Sequence, residues 1–226
     1  MSKSYQVLIV GGGAAGLATA ASLKKRDRSL EVAVVEPSDK HYYQPGWTMV
    51  GAGVFTKEDT IKDTDSIWPS GVIRIKDEVI KFDPKNNKVT LGNKTEVGYE
   101  MLVVASGLKL DWEAIEGLSE SLGENGVTSN YRYDLAPYTW ELVQKMNGKN
   151  AIFTQPPMPI KCAGAPQKAM YLSCDHWQKS GQLDEMNVSF CNAGPVLFGC
   201  ATYVPPLMKY VEKYGCLLYT SDAADE

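Results

Sequence analysis

The sequence predicts an α/β fold of two Rossmann-like dinucleotide-binding units with parallel sheets and a small antiparallel insertion. Three observations predict it. An apolar strand runs into a glycine-rich loop, a helix and a second apolar strand follow that loop, and a weaker strand–helix–strand pattern recurs later in the chain. With 226 residues, of which 44% are hydrophobic, the chain can bury one or two cores.

The chain begins with a predicted β-α-β arrangement. Residues 5–10 form an apolar strand, residues 14–25 carry Ala, Leu and Ser at helical spacing, and residues 31–35 form a valine-rich strand. Continuous hydrophobicity suits parallel strands that are buried on both faces. The basic residues near the end of the helix complement its dipole. Because the net charge is -4 and no basic stripe appears, we exclude a nucleic-acid partner.

The middle of the chain shows turn and strand patterns. Residues 41–55 are rich in Gly and aromatic residues, and a polar helix is predicted over 56–63. Three short segments then alternate between apolar and polar residues, at 73–75, 78–83 and 88–91. They predict the antiparallel insertion. Residues 101–105 return as a buried parallel strand.

A second α/β unit is predicted after residue 111. Its elements are helices at 112–122 and 134–146, a strand at 151–154, a helix at 164–179, a strand at 187–191 and a helix at 206–214. We therefore take residues 1–111 as the N-terminal dinucleotide-binding domain. Residues 112–215 form the second domain, which we expect to be truncated.

The terminal run 216–226, CLLYTSDAADE, does not continue the pattern of the helix before it. It is similar to one reading frame of a transposase adapter used in DNA library preparation. We therefore expect it to be a sequencing-adapter artefact, with the C-terminal part of the natural protein missing. A genuine acidic tail is the alternative.

The glycine loop carries the first functional signal. Gly11, Gly13 and Gly16 form the Gly-x-Gly-x-x-Gly pattern between a strand and a helix. The first glycine permits a tight turn, the second lets the backbone approach a pyrophosphate, and the third allows close helix–strand packing. The helix N-terminus at Ala14 offers free N–H groups to a phosphate. Glu36 ends the second strand, where a carboxylate can accept hydrogen bonds from a ribose diol.

A second candidate contact region ends the later parallel strand. Ala105, Ser106 and Gly107 resemble the place in two-dinucleotide flavoproteins where a strand end meets the flavin nucleotide. Together with the glycine loop, they favour FAD over NAD at the first site. An ordinary strand followed by a glycine turn is the alternative.

A cysteine lies where a second glycine-rich loop is expected. Residues 156–166, PPMPIKCAGAP, follow the strand at 151–154, and prolines lack the N–H donors that would cradle a pyrophosphate. Cys162 is next to Lys161 and precedes a helix that starts near Gly164. An ammonium and a helix N-terminus both stabilise a thiolate, so we predict a nucleophilic thiol here. Taken alone, a buried structural cysteine is the alternative.

The remaining reactive residue types give weaker signals. Five cysteines at irregular spacing, with no export signal, favour reduced thiols over a disulfide framework. His41 and His176 are too few for a metal cluster, and we predict none. The segment 41–45, which includes Gln44, suits either a flavin lining or a loop packed by aromatic residues. No apolar run is long enough for a membrane-spanning helix, and no leader is expected before the first strand.

Taken together, these motifs resemble the sulfide:quinone oxidoreductases of the type that includes the mitochondrial enzyme, in the FAD-dependent pyridine nucleotide-disulfide oxidoreductase-like superfamily. The resemblance covers roughly residues 5–210. It rests on the glycine loop with Glu36, on 41–53 (HYYQPGWTMVGAG) and on 161–168 (KCAGAPQK). The last of these motifs is the most specific, since many flavoproteins share the glycine loop.

The resemblance implies a flavoprotein whose FAD is held noncovalently by Gly11, Gly13, Ala14, Gly16, Glu36, Gln44, Ala105, Ser106 and Gly107. It implies that Cys162 belongs to a catalytic cysteine pair that oxidises sulfide. A persulfide then passes to an acceptor such as glutathione or sulfite, and two electrons pass through FAD to quinone. The family's second catalytic cysteine lies beyond this chain, so we expect the fragment to be inactive alone.

Two other functions are weighed against this one. NADH:quinone reduction on the same fold predicts a glycine-rich loop after residue 154, where the chain has prolines. A non-catalytic flavin-binding module would keep its role without Cys162. The resemblance places the protein at a membrane surface, attached through the missing C-terminal part. This would be the bacterial cytoplasmic membrane or, in a eukaryote, the mitochondrial inner membrane.

Overall fold

The computed structural model describes residues 3–221. They divide into two compact units, the first made of residues 3–43 and 61–110 and the second of residues 44–60 and 111–221. The aromatic segment 44–60 therefore belongs to the second unit, although the residues on both sides of it belong to the first.

The strands of the first unit are β1 (Lys3–Val10), β2 (Val32–Val35), β3 (Lys40–Tyr42), β4 (Ile61–Asp63), β5 (Ile73–Ile75), β6 (Val79–Asp83), β7 (Lys88–Leu91) and β8 (Glu96–Val104). Six of them form one sheet in the order β5-β2-β1-β8-β7-β6, and β3 pairs with β4 in a separate ribbon. The strands β5, β2, β1 and β8 are parallel to their neighbours in this series. For β1, β2 and β8, the continuous hydrophobic pattern predicts this direction.

The helix α1 (Ala14–Arg26) connects β1 to β2 and covers one face of the sheet. The core on one face of the sheet consists of Val7, Ile9, Ala20, Val32, Val34 and Val72. The opposite face carries a second core around Leu8, Ala33, Val35 and Val89. Because successive strand residues point to opposite faces, Val7 and Ile9 of β1 contribute to one core and Leu8 contributes to the other.

Two details near β4 and β5 differ from the sequence prediction. Residues 73–75 do not join the antiparallel part, because β5 pairs in parallel with β2. The helix predicted over 56–63 is wrong: a 3-10 turn at Glu58–Thr60 leads into β4. There the buried Thr60 hydroxyl donates to the Lys57 carbonyl, and Ile61 pairs with Tyr42 across the ribbon.

The second unit contains a parallel three-stranded sheet in the order β11-β10-β9, with β9 at Asn150–Gln155, β10 at Asn187–Asn192 and β11 at Leu217–Thr220. Its helices are α2 (Trp47–Val50), α3 (Leu118–Ser121), α4 (Ala136–Lys145), α5 (Gly164–Lys179) and α6 (Val204–Lys213). The core packs Met170, Cys174 and Trp177 of α5 against Val188 and Phe190 of β10.

The single helix predicted over 112–122 is wrong. The chain forms a 3-10 turn at Trp112–Ala114 and then the short helix α3. Gly117 separates them with φ +77, a left-handed conformation in which a right-handed helix cannot continue.

The terminal run lies partly outside the described residues. Leu217–Thr220 forms β11 beside β10, and residues 222–226 are not among those described. The artefact origin of 216–226 stays a prediction. Across residues 3–221, every helix is too short or too polar to cross a bilayer.

Candidate dinucleotide and thiol sites

The loop between β1 and α1 has the geometry of a phosphate-binding turn. The Gly11 N–H donates to the Val35 carbonyl over 2.9 Å, and Gly11 has φ +99. A Cβ on Gly11 would lie 2.5 Å from the Ala105 carbonyl oxygen. Only glycine therefore fits where this loop meets the end of β8.

The other two motif glycines have opposite surroundings. A Cβ on Gly16 would lie 1.8 Å from the Gly11 carbonyl oxygen, so a side chain there would push α1 away from the loop. A Cβ on Gly13 would meet nothing within 4 Å, and both Gly13 and Ala14 are exposed. The open backbone at Gly13 is free to meet a ligand.

The N-terminus of α1 is electrostatically suited to an anion. No side chain caps it, and its first turn contains no acidic residue. The first N–H groups of a helix have no partner within the helix, and the dipole makes that end positive. A phosphate beside Gly13 and Ala14 would receive these donors.

Glu36 lies against the same loop. Its Oε2 accepts a hydrogen bond from the Gly12 N–H, and its Oε1 accepts one from the Ser38 N–H, both over 2.7 Å. A carboxylate has about four acceptor positions, so capacity remains for two ribose hydroxyls. The side chain is half-buried, so part of it remains accessible.

The end of β8 completes this cluster. The Ala105 N–H donates to the Val10 carbonyl over 2.7 Å, which places Ala105 beside the start of the glycine loop. Ser106 and Gly107 follow as exposed residues, and Gly107 has φ +75. The first unit therefore brings the glycine loop together with Glu36 on one side and residues 105–107 on the other.

Cys162 lies in the second unit, in the connection between β9 and α5. Its carbonyl oxygen accepts a hydrogen bond from the Ala165 N–H over 3.1 Å, and its thiol is half-buried. A Cβ on Gly164 would lie 3.9 Å from the Cys162 Sγ. The sulfur therefore lies beside the first turn of α5, as the sequence leads one to expect.

The loop before Cys162 is built from prolines. Pro156, Pro157 and Pro159 are exposed, and the Met158–Pro159 peptide bond is cis. In a nicotinamide-binding unit, this connection would offer backbone N–H groups to a pyrophosphate. Three of its residues here have no N–H to offer.

Lys161 and Tyr131 surround the cysteine backbone. The Lys161 Nζ donates to the Gln44 Oε1 and lies 5.9 Å from the centre of the Tyr131 ring. The Tyr131 hydroxyl donates to the Cys162 carbonyl over 3.5 Å. Burial, and secondarily the neighbouring Cys162, raise the pKa of Tyr131, which keeps this phenol protonated as a donor.

Two of these contacts were not predicted. The resemblance assigns Gln44 to the FAD site, and that assignment stays a prediction; in the structure Gln44 belongs to the second unit, where its Oε1 accepts a hydrogen bond from Lys161. Tyr131 carries no sequence signal, because it is 31 residues from Cys162 in an irregular segment.

Buried polar side chains form hydrogen bonds near the start of α5 and at the ends of β9 and β10. Gln167 is 2% exposed, and its Nε2 donates to the Ala163 and Leu197 carbonyls. Gln155 and Asn192 end β9 and β10, where the Gln155 Nε2 donates to the Asn192 Oδ1 over 3.0 Å. Parallel sheets bind ligands at the carboxyl ends of their strands. This rule, applied to the sequence, could have identified Gln155 and Asn192 as candidate site residues.

The other cysteines occupy different surroundings. Cys174 is fully buried in the core of the second unit, and burial raises its pKa to about 12. Cys191 is half-buried in β10, and Cys200 is exposed on the loop after it. Cys174 is therefore a packing residue.

Comparisons with known proteins place this chain in a family. Residues 5–143 match the family described as "Pyridine nucleotide-disulphide oxidoreductase", and the chain belongs to that family. It is 42% identical over 212 residues to "Sulfide:quinone oxidoreductase, mitochondrial" of Dictyostelium discoideum, covering 93% of this chain and 47% of the relative. It is 40% identical over 209 residues to the Mus musculus protein of the same name, covering 92% and 46%.

A solved structure supports the fold. The sulfide:quinone oxidoreductase from the hyperthermophilic bacterium Aquifex aeolicus matches with a TM-score of 0.78 and 20% identity, covering 97% of this chain and 51% of that one. The fold class predicted from the sequence is therefore confirmed. The chain spans about half the length of the curated relatives it matches.

Proposed function

We propose that this chain carries the FAD-binding and thiol-bearing part of a sulfide:quinone oxidoreductase. The observation that carries the proposal is the contrast between the two loops. The first unit has an open glycine and an uncapped helix N-terminus, whereas the second has prolines and Cys162 at the equivalent place. The similarity to two mitochondrial sulfide:quinone oxidoreductases covers both loops.

The residues of the first unit fit the nucleotide half of FAD. The α1 N-terminus and the open Gly13 backbone would hold the pyrophosphate, and Glu36 would accept hydrogen bonds from the adenosine ribose. Residues 105–107 would contact the nucleotide from the end of β8. When bound, FAD supplies the capacity to accept two electrons and pass them to quinone.

Cys162 is proposed as the sulfide-oxidising thiol. In the reaction that we propose, hydrosulfide attacks a disulfide between Cys162 and a second cysteine. We assign this second cysteine to no residue of the present chain. The S–S bond breaks, one cysteine keeps the new sulfur as a persulfide, and the other leaves as a thiolate. Glutathione or sulfite would then take the persulfide sulfur, which leaves both cysteines as thiols. Re-forming the S–S bond between them would release the two electrons that FAD accepts.

The surroundings of Cys162 suit an anionic sulfur. The positive end of α5 lies beside Sγ, and the neighbouring Lys161 ammonium is held by Gln44 and Tyr131.

The second candidate, NADH:quinone reduction, is disfavoured by Pro156, Pro157 and Pro159, since these residues lack the N–H donors that a second dinucleotide needs. Because its proposed electron acceptor is a quinone, we propose that the working protein acts at a membrane surface, either bacterial or mitochondrial.

The test is an anaerobic titration of flavin absorbance, made on the protein extended by its native gene to the length of its relatives. We expect sulfide to bleach the absorbance of the parent protein and of Cys200→Ser, an exposed-cysteine control, but not of Cys162→Ser. Bleaching by NADH and not by sulfide would overturn the proposal. A Cys162→Ser variant that keeps full sulfide turnover would overturn the role proposed for this thiol.

A further inference from the structure

We infer that His41 is a positioning residue for the phosphate-binding loop: its imidazole holds the carbonyl of Gly12, and the Glu36 carboxylate holds the N–H of the same residue. The His41 Nδ1 lies 3.3 Å from the Gly12 carbonyl oxygen. The Gly12 N–H donates to Glu36 over 2.7 Å. This pair of contacts clamps the residue immediately before Gly13, the open position of the motif.

The chemistry of the contact defines the state of the ring. A carbonyl oxygen only accepts hydrogen bonds, so the His41 Nδ1 must carry the proton. A separation of 3.3 Å is at the long end for an N–H···O bond, so we assign it a moderate energy. The ring is half-buried, which removes part of the competition from water.

The strand that carries His41 is itself held in place. On β3, His41 pairs with Lys62 of β4 across the antiparallel ribbon. Thr64, which is 1% exposed, donates from its N–H to the Asp39 carbonyl and from its hydroxyl to the Ser38 carbonyl. The ribbon is therefore anchored to the exit of β2, and the imidazole is held against the loop.

The clamp leaves little room at Gly12. A Cβ there would lie 2.7 Å from the Glu36 Cβ, so this glycine is required by the contact with Glu36. Gly13, by contrast, has open space around it. The Gly12 carbonyl and the Gly13 N–H belong to one planar peptide group, so holding the carbonyl sets the direction of this N–H. It is one of the donors that would meet a phosphate.

The expected effect on ligand binding follows from the strength of one hydrogen bond. The inference rests on the proposed function for the identity of the ligand, FAD. Loss of a single neutral hydrogen bond corresponds to about a two- to tenfold change in an equilibrium constant. We expect His41→Leu to raise the Kd for FAD by about this factor.

The test combines two readouts on the protein extended by its native gene to the length of its relatives. The first is the Kd for FAD, measured by calorimetry. The second is hydrogen–deuterium exchange of the ligand-free peptide that covers residues 11–17. We expect His41→Leu to raise the Kd and to speed exchange at this peptide. His41→Asn should restore both, because the Asn Nδ2 occupies the place of the imidazole Nδ1, whereas His41→Gln places its donor one bond further away and should not.

The matched control is His176→Asn, which changes the other histidine of the chain, on α5 beside Trp140. It should change neither readout. Equal exchange in the parent protein and in His41→Leu would overturn the inference whatever happens to FAD. If His41→Leu does not fold, equal behaviour of the Asn and Gln variants would overturn it. Faster exchange in a protein that never binds FAD would support the clamp and refute the proposed cofactor.

Discussion

Gly13 and Gly16 lie three residues apart and have different physical reasons to be glycine. Gly16 is required by the fold, because its Cβ would overlap the Gly11 carbonyl. Gly13 is unconstrained by neighbouring atoms, and it has an extended backbone, with φ -72 and ψ -172, that any residue adopts. The space beside Gly13 is therefore available to a ligand. A substitution at this residue should change ligand binding without a large change in the stability of the fold.

We predict that Gly13→Ala weakens FAD binding by tenfold or more while the free energy of unfolding changes by no more than about 0.5 kcal/mol. The added methyl group would stand where the pyrophosphate approaches. Calorimetric titration with FAD and urea unfolding would measure the two quantities. Gly199→Ala is the control, since its Cβ also meets nothing within 4 Å but lies far along the chain in the second unit. Unchanged FAD affinity in Gly13→Ala would contradict the assignment of the phosphate site.

At the scale of elements, the segment 44–60 is held by ring contacts and close backbone approaches. The α2 helix contacts α4 and α5, and the Trp47 ring lies 6.1 Å from the Tyr133 ring. Gly53 has φ +71, and a Cβ there would lie 2.3 Å from the Trp140 ring. The segment that carries Gln44 to Lys161 is therefore fixed on the second unit by packing as well as by the hydrogen bond.

We predict that Gly53→Ala destabilises the second unit by about 2–4 kcal/mol, since it combines left-handed strain with overpacking against Trp140. Gly117→Ala is the matched control, because Gly117 also has positive φ but open space around its Cβ. It should lose only about 1–2 kcal/mol. Urea unfolding followed by far-UV circular dichroism would measure both. Equal losses of stability in the two variants would show that overpacking against Trp140 costs no free energy.

For the molecule as a whole, one buried and one half-buried titratable group of the second unit contribute to its response to alkali. Burial raises the pKa of Cys174 from 9.0 to about 12 and that of Tyr171 from 10.0 to about 12. Both groups are neutral in the folded protein at physiological pH. When the pKa of a group is higher in the folded protein than in the unfolded chain, its contribution to stability is fully present below the pKa of the unfolded chain. That contribution is lost as the pH rises through the pKa of the folded protein.

We predict that stability falls as the pH rises from 9 towards 12, with Cys174 alone contributing about 4 kcal/mol over that window, since each pKa unit corresponds to 1.36 kcal/mol. Urea midpoints recorded across this range would show the slope. Cys174→Ala should flatten the slope, whereas Cys200→Ala, which changes an exposed cysteine, should not. An unchanged slope in Cys174→Ala would contradict the prediction.

Most of the local structure was predictable from short-range patterns. The helix predicted over 164–179 has the same bounds as α5, and the strand predicted over 5–10 lies within β1. The errors came where a single residue or a distant strand overrides the local pattern. Gly117 interrupts a helical pattern, and β5 takes its parallel direction from β2, which lies more than thirty residues earlier.

By itself, the sequence determined the two strand–loop–helix units, the glycines of the first loop, and the place of Cys162 before a helix. These features depend on residue types within a few tens of positions. Only the tertiary structure decided the contact of His41 with Gly12, of Tyr131 with Cys162 and of Gln44 with Lys161, which join residues 29, 31 and 117 positions apart. Such contacts have no periodicity in the chain, because they arise where separate elements meet after folding.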